Sequence, residues 1–441
     1  MASASLIADT APRTDVPPRA AILIPQAIQH ALVMYAGVVT VPLLIGRGLG
    51  LTPEQIVQLV DVSLLTSGIA TLIQSLGLGN VGARLPLVQG TSFGCAMPLL
   101  QIAKVTDIPT MFGAALGAGL VAWLLAPLLG RMMRLLPEVA NGCVIVAIGL
   151  MLVPIAGNWL GGGAQLDAAH FAAPGAIALG LATAVITMLL YVGARRSFAS
   201  VAILAGMIIG CVLAILTGQQ DIRHVVQAPL FDLPPLLPFG RPQFHLVPIL
   251  IMSFAMSVLL SETMGNCVAV ARLMDVPLTE TLLARAFRAD GLATALGVMF
   301  GGFPYNAFTQ NTALVAMSSV RSRFIVAGAG AVLVVLGFCP RLGAWVATIP
   351  ACVLGGAALV MFGTIMVAGL REIAHHDLSS RRNATLTAAG LIAAALPTAC
   401  PRLFANLAPQ ARIFLDNGLV LCALVLITLH LILPRDAARG D

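Results

Sequence analysis

The feature that most constrains this chain is the recurrence of apolar runs long enough to cross a bilayer. A membrane-spanning helix needs roughly 20 predominantly apolar residues, and about fourteen such runs follow one another here. Arg, Pro and Gly collect in the short segments between them. The expected spans cover residues 20–46, 56–79, 87–103, 109–130, 137–156, 174–193, 199–217, 245–271, 281–302, 307–320, 324–338, 350–370, 384–399 and 413–433. Composition agrees, since 59% of the 441 residues are hydrophobic and only 10% charged, a balance foreign to water-soluble domains. The fold class expected is an all-α polytopic membrane protein. Residues 1–19 are polar, with Pro12, Pro17 and Pro18, and read as a disordered tail; 434–441 form a second tail. The first apolar run is too long for a signal-peptide core and shows no cleavage site.

Several functions are disfavoured at this level. The formal charge of +6 is spread over loops and forms no stripe that would track nucleic acid. The eight cysteines mostly sit inside apolar runs without a CxxC pair, so they read as small buried hydrophobes and neither a disulfide framework nor a zinc site is expected. An intramembrane enzyme would need a motif such as HExxH, paired aspartates or a nucleophile beside a base, and none is evident. No cofactor is expected.

Fourteen spans put both termini on one side, and the loop cations test the arrangement. Of the 24 Lys and Arg, fifteen fall on the side of the termini, seven on the other, and Arg285 and Arg288 lie inside span 9. The positive-inside rule then makes both termini cytoplasmic. The two halves of the chain also echo each other. Leu136-Pro137 with Gly142 and Gly149 resembles Ile349-Pro350 with Gly355 and Gly363 at an offset of 213. Leu85-Pro86 with Thr91-Ser92-Phe93 resembles Phe303-Pro304 with Thr309-Gln310-Asn311 at 218. A repeat of seven spans must be inverted in the membrane, and inverted repeats with interrupted helices are a pattern of secondary transporters.

Three places carry polar chemistry inside the spans. Glu262 lies well within span 8, where a carboxylate facing lipid would cost roughly 3 kcal/mol, so it should face a polar cavity. Asn266 lies one turn away on the same face, positioned to orient the carboxylate, with Ser261 and Thr263 adding polarity. Spans 3 and 10 each place Pro and then small and polar residues where a helix should be gaining apolar length. Each reads as an extended stretch followed by a half helix, with Ser92 and Thr309 near the helix starts as hydroxyl caps. Gln310 and Asn311 supply amides that both donate and accept, and Phe93 or Phe308 could cover a ring face. The set suits a polar, uncharged, planar ligand with lactam groups. His30, next to Gln29 in span 1, is read as a helix-packing polar residue in preference to a proton carrier, and His375-His376-Asp377 as a solvated loop.

At these residues the chain resembles the nucleobase/ascorbate transporter family, the second of the nucleobase:cation symporter families. The resemblance is carried by Gln29-His30, Gly90-Thr91-Ser92-Phe93, Glu262-Thr263-Met264-Gly265-Asn266 and Gln310-Asn311 through Val320-Arg321-Ser322-Arg323, in order across nearly the whole chain. It implies fourteen spans in two inverted seven-span repeats. It further implies a moving core of residues 20–130 and 240–345 and a dimerising gate of residues 131–239 and 346–433. By the same match Glu262, Gln310, Phe93 and Thr309 become the substrate site; Ser92 and Asn311 are expected to join it, with Glu262, Asn266, His30 and Gln29 as proton-coupling or supporting groups. The departures are Ala313 and Ser318, where relatives usually carry Gly and Thr, and Asn266, where Asp or His is common. The expected function is a purine permease for xanthine or urate in a bacterial-type inner membrane, a homodimer working by proton symport and an elevator motion. The alternatives are a uracil or other nucleobase permease, an anion carrier of similar architecture, which would favour a cation in the pocket, and a non-transporting membrane sensor.

Overall fold

A helix that starts, breaks or ends inside a membrane must find partners for its backbone groups within the protein, and that need shapes the architecture. The computed structural model describes residues 17–132, 139–163, 171–194, 199–220, 228–318, 320–407, 411–412 and 415–433. Most of both expected tails and the Leu136-Pro137 end of one sequence echo lie outside these residues. The helices of the first half are α1 (Ala20–Gly48), α2 (Pro53–Leu76), α3 (Phe93–Val105), α4 (Ile108–Met132), α5 (Ala140–Leu160), α6 (Pro174–Gly193) and α7 (Ala199–Leu216). Those of the second half are α8 (Leu246–Leu273), α9 (Glu280–Met299), α10 (Thr309–Met317), α11 (Arg323–Gly337), α12 (Pro340–Ala347), α13 (Ala351–Ala374), α14 (Arg381–Ala399) and α15 (Gly418–Ile432). Two strands, β1 (Gln89–Thr91) and β2 (Tyr305–Ala307), precede α3 and α10.

Every expected span therefore carries a helix, and the extended stretches anticipated in spans 3 and 10 are present. Among the described residues, seven helices are long and apolar enough to cross a bilayer unaided, and three more are shorter apolar helices. The chain is a multi-pass helical membrane protein. One element was not foreseen: α11 ends at Gly337 and α12 leaves it at 80°. Pro340 explains the break, because it lacks an N–H and is accommodated in the first turn of a new helix.

Sequence punctuation sets the other boundaries. Thr52 and Gln55 close a capping box around Pro53 at the start of α2. Thr279, Ser380 and Asn417 accept from backbone N–H groups at the starts of α9, α14 and α15. On α6 the large residues Leu181, Val185, Met188, Leu189 and Val192 are exposed along one stripe, as a lipid-facing helix requires, while Thr183 and Thr187 are buried on the other face. Their hydroxyls donate to the carbonyls of Leu179 (2.8 Å) and Thr183 (2.7 Å), which removes the penalty of burying them.

Helix pairings come in matched sets. α2 packs on α11 and α9 on α4; α1 on α11 and α8 on α4; α6 on α7 and α14 on α15. The largest contact joins α5 to α13, and small residues allow it: a methyl on Gly369 would lie 2.6 Å from the backbone N of Val146. β1 and β2 are antiparallel, with Gln89 opposite Ala307, Gly90 opposite Asn306 and Thr91 opposite Tyr305.

The close packing yields a stability prediction. On α13, a Cβ at Gly356 would sit 2.1 Å from the carbonyl oxygen of Gly180, whereas one at Gly363 meets nothing within 4 Å. Gly356→Ala should lower the thermal midpoint of the purified protein, consistent with about 1–3 kcal/mol for overpacking. Gly363→Ala should leave it unchanged or raise it. Equal midpoints for the two variants would contradict this packing.

Candidate functional site

The site is built around the β1–β2 ladder, because that is where irregular backbone needs the most support. Beyond the ladder itself, Ser92 N donates to Pro304 O (2.8 Å) and Phe308 N to Val88 O (3.1 Å), so the pairing runs to the first residues of both half helices. Both strands are fully buried. Since the strands are antiparallel, α3 and α10 leave the ladder in opposite directions, and both helix N-termini stay beside it.

Side chains from five neighbouring helices lock this ladder. Asp290 on α9 accepts from Gln89 Nε2 (2.9 Å) through one oxygen and from Thr263 Oγ1 (2.6 Å) through the other. Thr263 in turn accepts from Ala307 N (3.2 Å), and Thr294 from Tyr305 N (3.1 Å) while donating to Asp290 O (2.8 Å). Thr71 on α2 exchanges bonds with the backbone of Gln89, and the Tyr305 hydroxyl meets Thr66. On the other side, Asn311 Nδ2 donates to Pro86 O (3.0 Å), which fixes the amide orientation and leaves Oδ1 to accept from His30 Nδ1 (2.5 Å). His30 therefore carries its proton on Nδ1 and acts as a clamp between α1 and α10.

A cavity of about 190 Å³ opens against the ladder. Glu262 faces it, held by Asn306 Nδ2 (2.7 Å) and Thr309 Oγ1 (3.0 Å), both neutral donors. Gln310, Phe93 and Phe308 line the same wall. Phe93 and Phe308 stack with centroids 6.0 Å apart and planes inclined by 22°. Phe308 lies between Gly37 and Gly90, where an added methyl would approach its ring to 2.8 and 2.5 Å, so both positions require the absence of a side chain. From α13, Met361, Thr364, Ile365, Ala368 and Arg371 line the cavity as a helical stripe, ending at the exposed residue Arg371.

Of the residues singled out from sequence, Glu262, Gln310, Phe93 and Thr309 reach the cavity. Asn311, His30, Ser92 and Asn266 are buried and do not line it; Gln29 is half-buried and does not line it either. Asn266 does not touch the carboxylate. It donates to Ala307 O (3.0 Å) and approaches Thr309 Oγ1 (3.4 Å), and it accepts from Thr312 Oγ1 (2.9 Å), so it fixes Thr309, which holds Glu262. The expected hydroxyl caps do not form either. Ser92 occupies the N-cap of α3 without a capping bond, and Thr309 is the first helical residue of α10, after Phe308 at the N-cap. The Thr309 hydroxyl is drawn to a carboxylate, a stronger acceptor than a backbone group. The Ala313 side chain lies outside the described residues, and Ser318 donates to Val320 O (2.8 Å) at the end of α10.

Sequence reasoning passed over Asn306, Asp290 and Gln89. Asp290 could have been found by the argument applied to Glu262, since it too is an acidic residue inside a span. Asn306 and Gln89 matter only through strand register, which no local pattern announces.

The sequence matches the profile of the Permease family over residues 21–403. The chain belongs to that family. This permease is 34% identical over 408 residues to the uric acid permease PucJ of Bacillus subtilis, covering 92% of this chain and 91% of that one. It is 34% identical over 412 residues to the uric acid transporter UacT of Escherichia coli (92% and 85%) and 32% identical over 405 residues to the xanthine permease of Bacillus subtilis (92% of each). Its fold is that of the transmembrane domain of a cyanobacterial bicarbonate transporter, BicA, with a TM-score of 0.62 at 18% identity over 93% of this chain and 97% of that one. The murine anion transporter Solute Carrier 26 family member A9 gives 0.63 at 12% identity, over 96% and 69%. This permease is a transporter, not an enzyme.

The Asp290 hub makes a prediction. Asp290→Ala would strand the buried donors of Gln89 and Thr263, at about 1–3 kcal/mol each, and should lower the thermal midpoint far more than Asp290→Asn, which keeps one acceptor. Indistinguishable midpoints for the two variants would show that the hub does not hold the ladder.

Proposed function

We propose that this permease carries purine nucleobases, xanthine or urate, across the inner membrane. The observation that carries the reading is the wall of the cavity, where the Glu262 carboxylate, the Gln310 amide and two phenyl rings converge. An oxopurine is planar and presents N–H donors beside C=O acceptors around its rim. Glu262 would accept from ring N–H groups, and Gln310 would pair with a lactam edge through antiparallel hydrogen bonds. The centroids of Phe93 and Phe308 are too close to admit a ring between them, so the base would meet the open side of the pair. The substrates named for the three relatives support the purine choice over uracil.

The anion-carrier alternative calls for a cation in the pocket, and Arg371 does line it. It stands about 15 Å along α13 from Met361 by helical rise, at the exposed end of the cavity. Glu262 occupies the wall itself and would repel a small anion. Urate, which sheds a proton more readily than xanthine, reconciles the two charges, with its anionic form favoured at the mouth.

For the cycle, the reading is one-proton symport with an elevator motion of residues 20–130 and 240–345 against residues 131–239 and 346–433, in a homodimer. The matched helix pairings and the antiparallel strands support two inverted repeats, and the clustering of α1–α4 with α8–α11 supports a core that moves as one body. One charge crossing 100 mV supplies about 2.3 kcal/mol, and tenfold accumulation requires about 1.4 kcal/mol, so a single proton on Glu262 suffices for roughly fifty-fold accumulation of a neutral base. The cavity mouth beside Arg371 would face the cytoplasm, as would both termini.

Uptake of a labelled purine panel into cells lacking their own permeases tests the reading. Saturable, protonophore-sensitive accumulation of xanthine or urate is expected, and Glu262→Ala should abolish it while the protein stays in the membrane. Normal uptake by that variant would remove the carboxylate from the site. Gln310→Glu should weaken purine uptake by about five- to hundred-fold, because a carboxylate cannot donate to a ring carbonyl and one unpaired group costs about 1–3 kcal/mol. Unchanged apparent affinity would exclude a direct Gln310 contact.

A further inference from the structure

Asp61 presents a physical problem that the purine site does not explain. It lies two turns into α2 with only 5% of its surface exposed, and its Oδ1 has no hydrogen-bond partner. Among the described residues no cationic side chain pairs with it. The carboxylate packs on the backbone of Gly343 in α12, so closely that a Cβ there would lie 2.2 Å from Oδ1. Burying an ionised carboxylate without a partner is strongly unfavourable. Asp290, by contrast, has both carboxylate oxygens met by donors.

The surroundings add negative charge. Asp61 lines a cavity of about 260 Å³ together with Glu54 and Gln58 of its own helix, Asp232 and Pro234 of the segment leading to α8, and Pro340 at the α11–α12 break. The charged and titratable groups on the elements packed around it are Glu54, Asp232, Tyr35 of α1, Cys339 at the break near Tyr35, and Arg341 of α12, whose Nε donates to Ala228 O (3.2 Å); Asp232 and Tyr35 interact with it electrostatically. The Asp232 carboxylate accepts from Leu233 N (2.8 Å), which holds it at the cavity rim. No residue of this cavity lines the one containing Glu262.

We propose that Asp61 is a binding site for a small monovalent cation, a proton or a sodium ion, separate from the purine cavity. A cation is the one occupant that offsets the buried charge while fitting a cavity walled by a second and a third carboxylate. Three acidic groups do not converge closely enough here to hold a multivalent metal, so a singly charged ion suits the donor set. The site spans α2, the α11–α12 break and the 228–245 segment. Occupancy therefore braces three elements that meet at the Asp61 carboxylate.

The test uses the purified full-length protein and needs no substrate. Thermal unfolding midpoints are compared in sodium and in choline at equal ionic strength, at acidic and at alkaline pH, for wild type and Asp61→Asn. The amide is nearly isosteric and uncharged, so Asp61→Asn should match or exceed the cation-free midpoint of wild type and lose its cation dependence. A wild-type midpoint that rises with sodium identifies that ion; one that rises only with acidification, and does so less in Asp61→Asn, identifies the proton. Identical responses in the two proteins, or no response in either, overturn the proposal. Should Asp61→Asn fail to accumulate, Asp232→Asn at the exposed rim replaces it: a shift of the dependence to higher cation concentration or lower pH supports the site, and an unchanged dependence contradicts it.

Discussion

Six residues of extended backbone lie in the interior of a membrane protein, where no water can satisfy their N–H and C=O groups, and much of the structure answers that demand. β1 and β2 satisfy one another as far as two three-residue strands can. Outward-facing groups of Gln89, Tyr305 and Ala307 are taken by Thr71, Thr294, Thr263 and Asn266, each buried and each supplied by a different turn of α2, α9 or α8. Asp290 ties two of these suppliers and Gln89 into one network. A lone two-stranded pairing is marginal in water; here burial makes every unmade bond expensive and so makes the ladder specific.

That scaffold explains why the site can be both polar and well defined. Glu262 does not rely on a cation for its placement. It is held by Asn306, fixed by strand register, and by Thr309, fixed by Asn266. The side chains that face the cavity are thus a few atoms from a framework cross-braced by hydrogen bonds from three helices, which is what orientation of a planar ligand requires. The same framework accounts for the glycines at 37 and 90, since the Phe308 ring occupies the space where their side chains would be.

Much of this was legible in the sequence, for reasons that can be named. The helices could be read because bilayer thickness imposes a length and an apolar composition on each. The broken spans could be read because Pro86 and Pro304 precede small and polar residues at a depth where helices should be uninterrupted. Glu262 stood out because a carboxylate in a span has few harmless explanations. What escaped was information held in register and in tertiary contact. Asn306 lies opposite Gly90 only once the strands pair, and Asn266, one turn from Glu262 along the helix, turned out to serve the neighbouring element instead. The α12 helix escaped because its eight residues are too short to register as a separate segment.

The central claim is that a purine base binds against the β1–β2 ladder between Glu262 and Gln310. A structure of the protein determined experimentally with xanthine or urate bound tests it most directly. The account predicts the base in the cavity lined by Phe93, Glu262, Thr309 and Gln310, with a ring N–H on the Glu262 carboxylate and the ladder still paired. A base bound elsewhere, or bound here with Glu262 turned away and the strands apart, would contradict it.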